Sequence, residues 1–136
     1  MTLPAAWSLQ VGLRAHLSAD LDLATLLGTP SRLYDRVPDD AVFPLLTLGE
    51  SRISPLDGDV KGMVHDVRIN AFSRWGGRKE VRLLTDHLHT ALHDRTFPIE
   101  GYRVVSSRFV FADLFRRPDG DTYQAVSRYR IVTSVA

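Results

Sequence analysis

The hydrophobic period of the chain changes at Arg32, and that change limits the fold more than any single residue does. Before it, Ala6, Leu9, Leu13 and Leu17 recur at three- and four-residue spacing, which predicts an amphipathic helix from about Pro4, a residue suited to a first turn, to Leu17. Ser18 is placed to cap a second, shorter helix. Asp20 and Asp22 then fall in its first turn, at the positive end of the helix dipole, and Leu27-Gly28 supplies a stop before Pro30. After Arg32 the pattern has a period of two. Leu33 to Val37 reads as a short strand ended by Pro38, and the Asp39-Asp40 turn leads to a strand in which Leu46 and Leu48 share a face, so the two are expected to form a hairpin.

Further along, Ile53 to Gly62 contains Ser54-Pro55, Asp57-Gly58-Asp59 and Lys61-Gly62 and reads as an exposed loop outside the core. Val67, Ile69 and Ala71 alternate with Arg68, Asn70 and Phe72, a strand with one apolar face. Gly76-Gly77 breaks it. A helix follows in which Val81, Leu84, Leu88, Ala91 and Leu92 form one stripe, the main core helix. Phe97-Pro98-Ile99 leads back to the sheet, and Tyr102 to Asp113 and Thr122 to Thr133 form two strands around a Pro118-Asp119-Gly120-Asp121 turn. The order α-α-β-β-β-α-β-β indicates an α+β fold: one domain over residues 1–136, with a mainly antiparallel sheet of about five strands and helices packed on one face.

Composition narrows the chemistry. With 136 residues, 44% of them hydrophobic, the chain can bury a core without metal or disulfide support. Cysteine is absent, which removes disulfides, thiolate metal sites and a cysteine nucleophile. The first 30 residues carry Arg14, Asp20 and Asp22 without a continuous apolar run, so no signal peptide is expected, and no apolar run reaches membrane-spanning length. A net charge of +1 argues against autonomous nucleic-acid binding. Only Lys61 and Lys79 are lysines; the other 15 of 17 cations are arginines, which fits either a GC-rich coding sequence or an interface rich in bidentate pairs.

No catalytic constellation stands out. His89 and His93 lie one helical turn apart, the spacing two imidazoles need to share a metal, with His87, Asp86 and Asp94 beside them. A third ligand and the glutamate of a His-Glu-x-x-His motif are missing, and a solvated helix face explains the same residues. His65 is too distant in sequence to complete the set by design. No Gly-x-Ser-x-Gly elbow occurs, and Gly76-Gly77-Arg78-Lys79 lacks the rest of a phosphate loop, so it reads as a strand-to-helix turn. Neither a metal nor a cofactor is expected.

Surface arginines are the stronger candidates. Arg128 and Arg130 share a face of the last strand opposite Tyr129 and Ile131, so with Arg108 they are expected to protrude away from the core, to meet a neighbour's carboxylates or to be solvated. Arg116 and Arg117 at the hairpin tip extend this surface, and Asp113, Asp119 and Asp121 supply the opposite sign. Asp57, Asp59 and Lys61 make the Ile53 to Gly62 loop a second candidate contact.

Several blocks, taken in order, resemble one family. They are Leu26-Leu27-Gly28, then Tyr34-Asp35-Arg36-Val37-Pro38, then Phe43-Pro44-Leu45-Leu46-Thr47-Leu48-Gly49-Glu50. Asn70-Ala71-Phe72-Ser73-Arg74, the helix end Ala91-Leu92-His93-Asp94 and Arg116-Arg117-Pro118-Asp119-Gly120-Asp121-Thr122-Tyr123 complete the set. Together they resemble the tail-terminator, or tail-completion, proteins of long-tailed phages and of phage-derived gene-transfer agents, over nearly the whole chain. The resemblance implies a structural virion protein and not an enzyme: a ring, hexameric in that family, on the head-proximal end of the tail tube. Its implied partners are its own copies, the tail tube protein and a head-tail connector or stopper protein, with DNA passing through the lumen without specific binding and no membrane involved. Assembly in the bacterial cytoplasm and residence in the neck of the virion tail follow. A connector or stopper protein is the alternative of the same class; a small metal-binding protein or enzyme built on the helix histidines is the alternative of a different one.

Overall fold

The computed structural model describes residues 5–58 and 61–136. Pro4, the expected helix start, lies outside them. Helix α1 (Ala5–Ser18) buries Leu9, Leu13 and Leu17, the stripe its spacing predicts. Ser18 ends this helix and does not cap the next one. The cap of α2 (Leu21–Leu27) is Asp20, whose Oδ1 accepts a 2.9 Å hydrogen bond from the Leu23 N–H, and Gly28 closes the helix at φ 82° with its N–H donated to Ala24. A carboxylate two residues later in the sequence serves the amides better than the serine because its side chain stands directly below them.

Strand β1 (Leu33–Tyr34) pairs parallel with β2 (Leu45–Pro55), Leu33 opposite Leu46 and Tyr34 opposite Thr47, so the expected hairpin does not form. The reason lies in Asp35. Its carboxylate accepts from Gln10 and Arg14 of α1, and Arg14 also donates to the Leu33 carbonyl at 2.8 Å, which draws the chain out of the sheet after Tyr34. Arg32 fixes the return, donating from Nε to the Pro44 carbonyl and from a terminal nitrogen to the Leu26 carbonyl.

Strand β2 continues through Ile53, Ser54 and Pro55, which stand opposite His65, Val64 and Met63 of β3 (Gly62–Ser73). The two ends of the expected loop are therefore ladder, Ile53 to Pro55 in β2 and Gly62 in β3, and residues 56–61 connect the strands. Periodicity missed this because the end of β2 is exposed on both faces. Helix α3 (Lys79–Leu92) buries Val81, Leu84, Leu88, Ala91 and Leu92, as its stripe predicts. After it come the short β4 (Pro98–Ile99), then β5 (Tyr102–Arg116) and β6 (Tyr123–Val135). The result is an α+β architecture whose curled, mixed sheet has six strands in the order β1-β2-β3-β6-β5-β4, with every pairing antiparallel except the first.

One face of this sheet meets all three helices. Ile69 and Ala71 of β3, Leu46 of β2, and Ala125, Tyr129 and Ile131 of β6 pack with Leu13, Leu23, Leu84 and Leu88 in a single cluster. Each buried leucine contributes about 2 kcal/mol of transfer free energy, so this face carries most of the driving force for folding. Gly12 lets α1 lie directly on β4. A methyl group there would stand 2.4 Å from Ile99 Cγ2 and 2.8 Å from the Pro98 carbonyl oxygen. Among the described residues no helix is long and apolar enough to cross a membrane.

Candidate assembly interface

The register of four neighbouring strands decides what the other sheet face presents. Side chains directly opposite each other share a face. Arg52 is thus opposite Asp66, Asp66 opposite Arg130, and Arg130 opposite Arg108, one row across β2, β3, β6 and β5. One pleat further along, Arg68 is opposite Arg128 and Arg128 opposite Phe111. Arg128 is not free, as the sequence alone suggested. It lays its guanidinium as a fork on the Asp66 carboxylate of its own chain, with Nε 3.0 Å from Oδ1, and stacks 5.3 Å over the Phe111 ring. Arg130 is exposed and makes no ion pair among the described residues. Arg108 reaches over the edge of β5 to Asp94 at 3.1 Å.

Below these rows the same face becomes a polar ladder. Asn70 donates to Thr47, Gln124 donates to Asn70, and Arg117 donates to Gln124, linking β2, β3, β6 and the final turn. Thr47 and Gln124 are buried, so the ladder satisfies groups that would otherwise cost free energy.

The tip between β5 and β6 is organised around one carboxylate. Asp119 accepts from the Asp121 and Thr122 amides at 2.9 Å each and from the Thr122 hydroxyl at 2.8 Å, and Arg74 donates to that hydroxyl. The Thr122 amide, the Thr122 hydroxyl and the Asp121 amide, with a smaller contribution from Arg74, pull the Asp119 pKa down to about 2. Arg116 spends its Nε on the Gly120 carbonyl, and Arg74 itself stacks 4.2 Å over Phe43. Arg116 and Arg117 are therefore exposed but locally engaged.

The candidate residues fall in three places. Asp57 and Lys61 are exposed beside the β2–β3 connection, and Asp59 lies outside the described residues. Arg108, Arg128 and Arg130 share the centre of the outer face, while Arg116 and Arg117 stand at the far end. Since β3 spans 12 residues, its two ends are roughly 35–40 Å apart. These groups make no single site, although one subunit surface can include them all. Sequence reading missed Arg52, Arg68 and Asp66, which join the cluster only through pairing with strands far along the chain. It also missed the exposed Trp7, Trp75 and Phe115.

The helix histidines are otherwise occupied. His93 Nδ1 accepts the Phe109 N–H at 3.0 Å, its Nε2 lies 3.4 Å from Asp94, and its ring stacks on His89 at 4.7 Å. No group of three or more His, Asp or Glu side chains stands at metal-binding geometry among the described residues. His65 is buried under α1 with Nε2 2.8 Å from the Thr133 hydroxyl oxygen, and burial lowers its pKa.

Comparison with known proteins places this geometry. Residues 11–134 match the family model described as tail completion protein gp17. A chain in the solved structure of the virion of a native gene transfer agent particle superposes with a TM-score of 0.85, at 24% identity, covering 98% of this chain and 99% of that one. That likeness shows a shared fold. Comparison with curated protein sequences finds no significant match.

Proposed function

Because the chain belongs to the tail completion protein gp17 family, and is on that footing a structural protein of a phage-type tail, we propose that it forms a closed ring at the head-proximal end of the tail tube. The ring is hexameric, as the sequence resemblance implies. It ends tube polymerisation and joins the tail to the head connector. A tube exposes at its growing end the surface the next ring would fill, and a subunit that matches that surface below but offers a different one above stops growth.

The observation that carries this reading beyond the family is the pair of open sheet edges. β1 covers only Leu46 and Thr47 of β2, and β4 covers only Tyr102 and Arg103 of β5. The segment after α3 adds two hydrogen bonds, at Ser107 and Phe109. Among the described residues, the outward edges of 48–55 in β2 and 110–116 in β5 carry no further strand, and they lie on opposite sides of the sheet. Unequal surfaces on opposite sides suit head-to-tail contacts, which close into rings when the rotation allows. Arg108, Arg116, Arg117, Arg128 and Arg130 then lie on or beside one such contact, and Asp57, Asp59 and Lys61 belong to an end that can meet the tube or connector. Nothing in this role requires catalysis or a cofactor. The subunits assemble in the bacterial cytoplasm and stay in the virion neck, with DNA passing through the ring.

Deletion of the protein tests the reading. Heads should fill with DNA normally while heads and tails remain unjoined and tail lengths become abnormal. Normal-length tails firmly attached to heads would contradict it.

A further inference from the structure

The outer sheet face holds more positive charge than its folding needs. Arg52, Arg68 and Arg130 are exposed and make no ion pair among the described residues, while Arg128 and Arg108 hold Asp66 and Asp94. Arg52, Arg68, Arg128, Asp66 and Glu50 also line one shallow cleft. With Asp113, which shares the outward face of β5 with Phe111, five guanidinium groups meet four carboxylates, Glu50, Asp66, Asp94 and Asp113, yet three of the five have no ion-pair partner among the described residues. The chain's net charge of +1 conceals this patch.

Its arrangement opposes stability. Arg68 stands directly opposite Arg128, and Arg130 directly opposite Arg108, and like charges in such cross-strand positions repel. An anion lying across the strands would relieve both contacts. The rows lack the apolar anchors that hold protein partners, since their one aromatic, Phe111, is already stacked on Arg128. What remains is a set of guanidinium groups spread about 14 Å across four strands, a spacing suited to a chain of phosphates and not to a single side chain.

We propose that this face contacts the phosphate backbone of duplex DNA through Arg52, Arg68 and Arg130, with Arg128 and Arg108 behind them. The inference rests on the neck-ring reading, in which DNA passes through the subunits, and adds that the subunit touches it without reading sequence. Three free arginines neutralise about three phosphates, so the affinity of one subunit is weak and its logarithm falls against log salt with a slope of about −2.7. Repetition around a ring converts weak contacts into sustained ones that still allow sliding.

The test is a titration of the purified full chain with a short labelled DNA duplex at about 50 mM salt, followed by amide chemical shifts. Saturable binding is expected, with shifts confined to residues 50–54, 64–70, 106–113 and 126–132. The double variant Arg68→Gln, Arg130→Gln should bind about tenfold more weakly and lose roughly two units of the salt slope, with its unfolding midpoint no lower than that of the parent chain. No binding at that salt, or binding the double variant leaves intact, overturns the proposal. So does preferential binding of poly-glutamate to the same residues, which would make the partner an acidic protein. None of these results bears on ring formation, which is read separately from the copy number in assembled particles.

Discussion

The two faces of the sheet are built from alternate residues of the same strands yet obey different rules. On β6, Ala125, Tyr129 and Ile131 are fully buried against the helices, whereas Arg128 and Arg130, one position away, face outward. The inner face is fixed by removing carbon from water, a force without direction that depends on volume and shape. The outer face depends on which charges the register sets opposite each other. Substitutions on the inner face should therefore change stability, and those on the outer face should change association.

The largest effect is expected inside. Leu84 is fully buried, so Leu84→Ala should lower the unfolding free energy by about 2–5 kcal/mol, whereas Arg68→Ala should stay within about 0.5 kcal/mol. Urea unfolding of both variants checks this; comparable losses would erase the distinction between faces. Next comes the Asp66–Arg128 pair, whose side chains are 33% and 26% exposed. A double-mutant cycle with Asp66→Asn and Arg128→Met should give a coupling of about 1 kcal/mol, since partial exposure screens the pair. A coupling near zero would reduce Arg128 to a solvated arginine.

A smaller effect concerns pH. Burial lowers the His65 pKa in the folded protein, so the unfolded chain binds the proton more readily. Stability is then complete above the ordinary histidine value of about 6.5 and declines as pH falls below it towards the lowered folded value. The urea midpoint should fall between pH 7 and pH 5.5, and His65→Gln should flatten that slope. Asp119 acts in the same direction over a lower range: its depressed pKa means that whatever it contributes is present above the ordinary carboxylate value and is lost only as pH falls towards about 2. Because this carboxylate lies at an exposed tip, Asp119→Asn should loosen the turn, seen as faster amide exchange at Asp121 and Thr122, with little change in global stability.

The same contrast explains what the sequence disclosed. The Val81 to Leu92 stripe and the alternation around Tyr129 and Ile131 are local patterns, and each was legible because its signal lies within a dozen residues. The parallel pairing of β1 was not, because it follows from Asp35 binding Gln10 and Arg14, more than 20 residues away. Nor was the arginine cluster. Arg52, Arg68, Arg108 and Arg130 are scattered through the chain, and only the register of four strands assembles them. Of the candidate surface, the sequence disclosed Arg108, Arg128 and Arg130 as outward-facing but not the Asp66 that occupies one of them.

The central claim is that this chain closes into a ring at the end of a tail tube, and imaging of the neck in assembled particles tests it most directly. The account predicts several copies in one closed ring, each joined to the next near the open edges of β2 and β5, between the last tube ring and the head connector. A single copy per tail, or copies distributed along the tube, would contradict it.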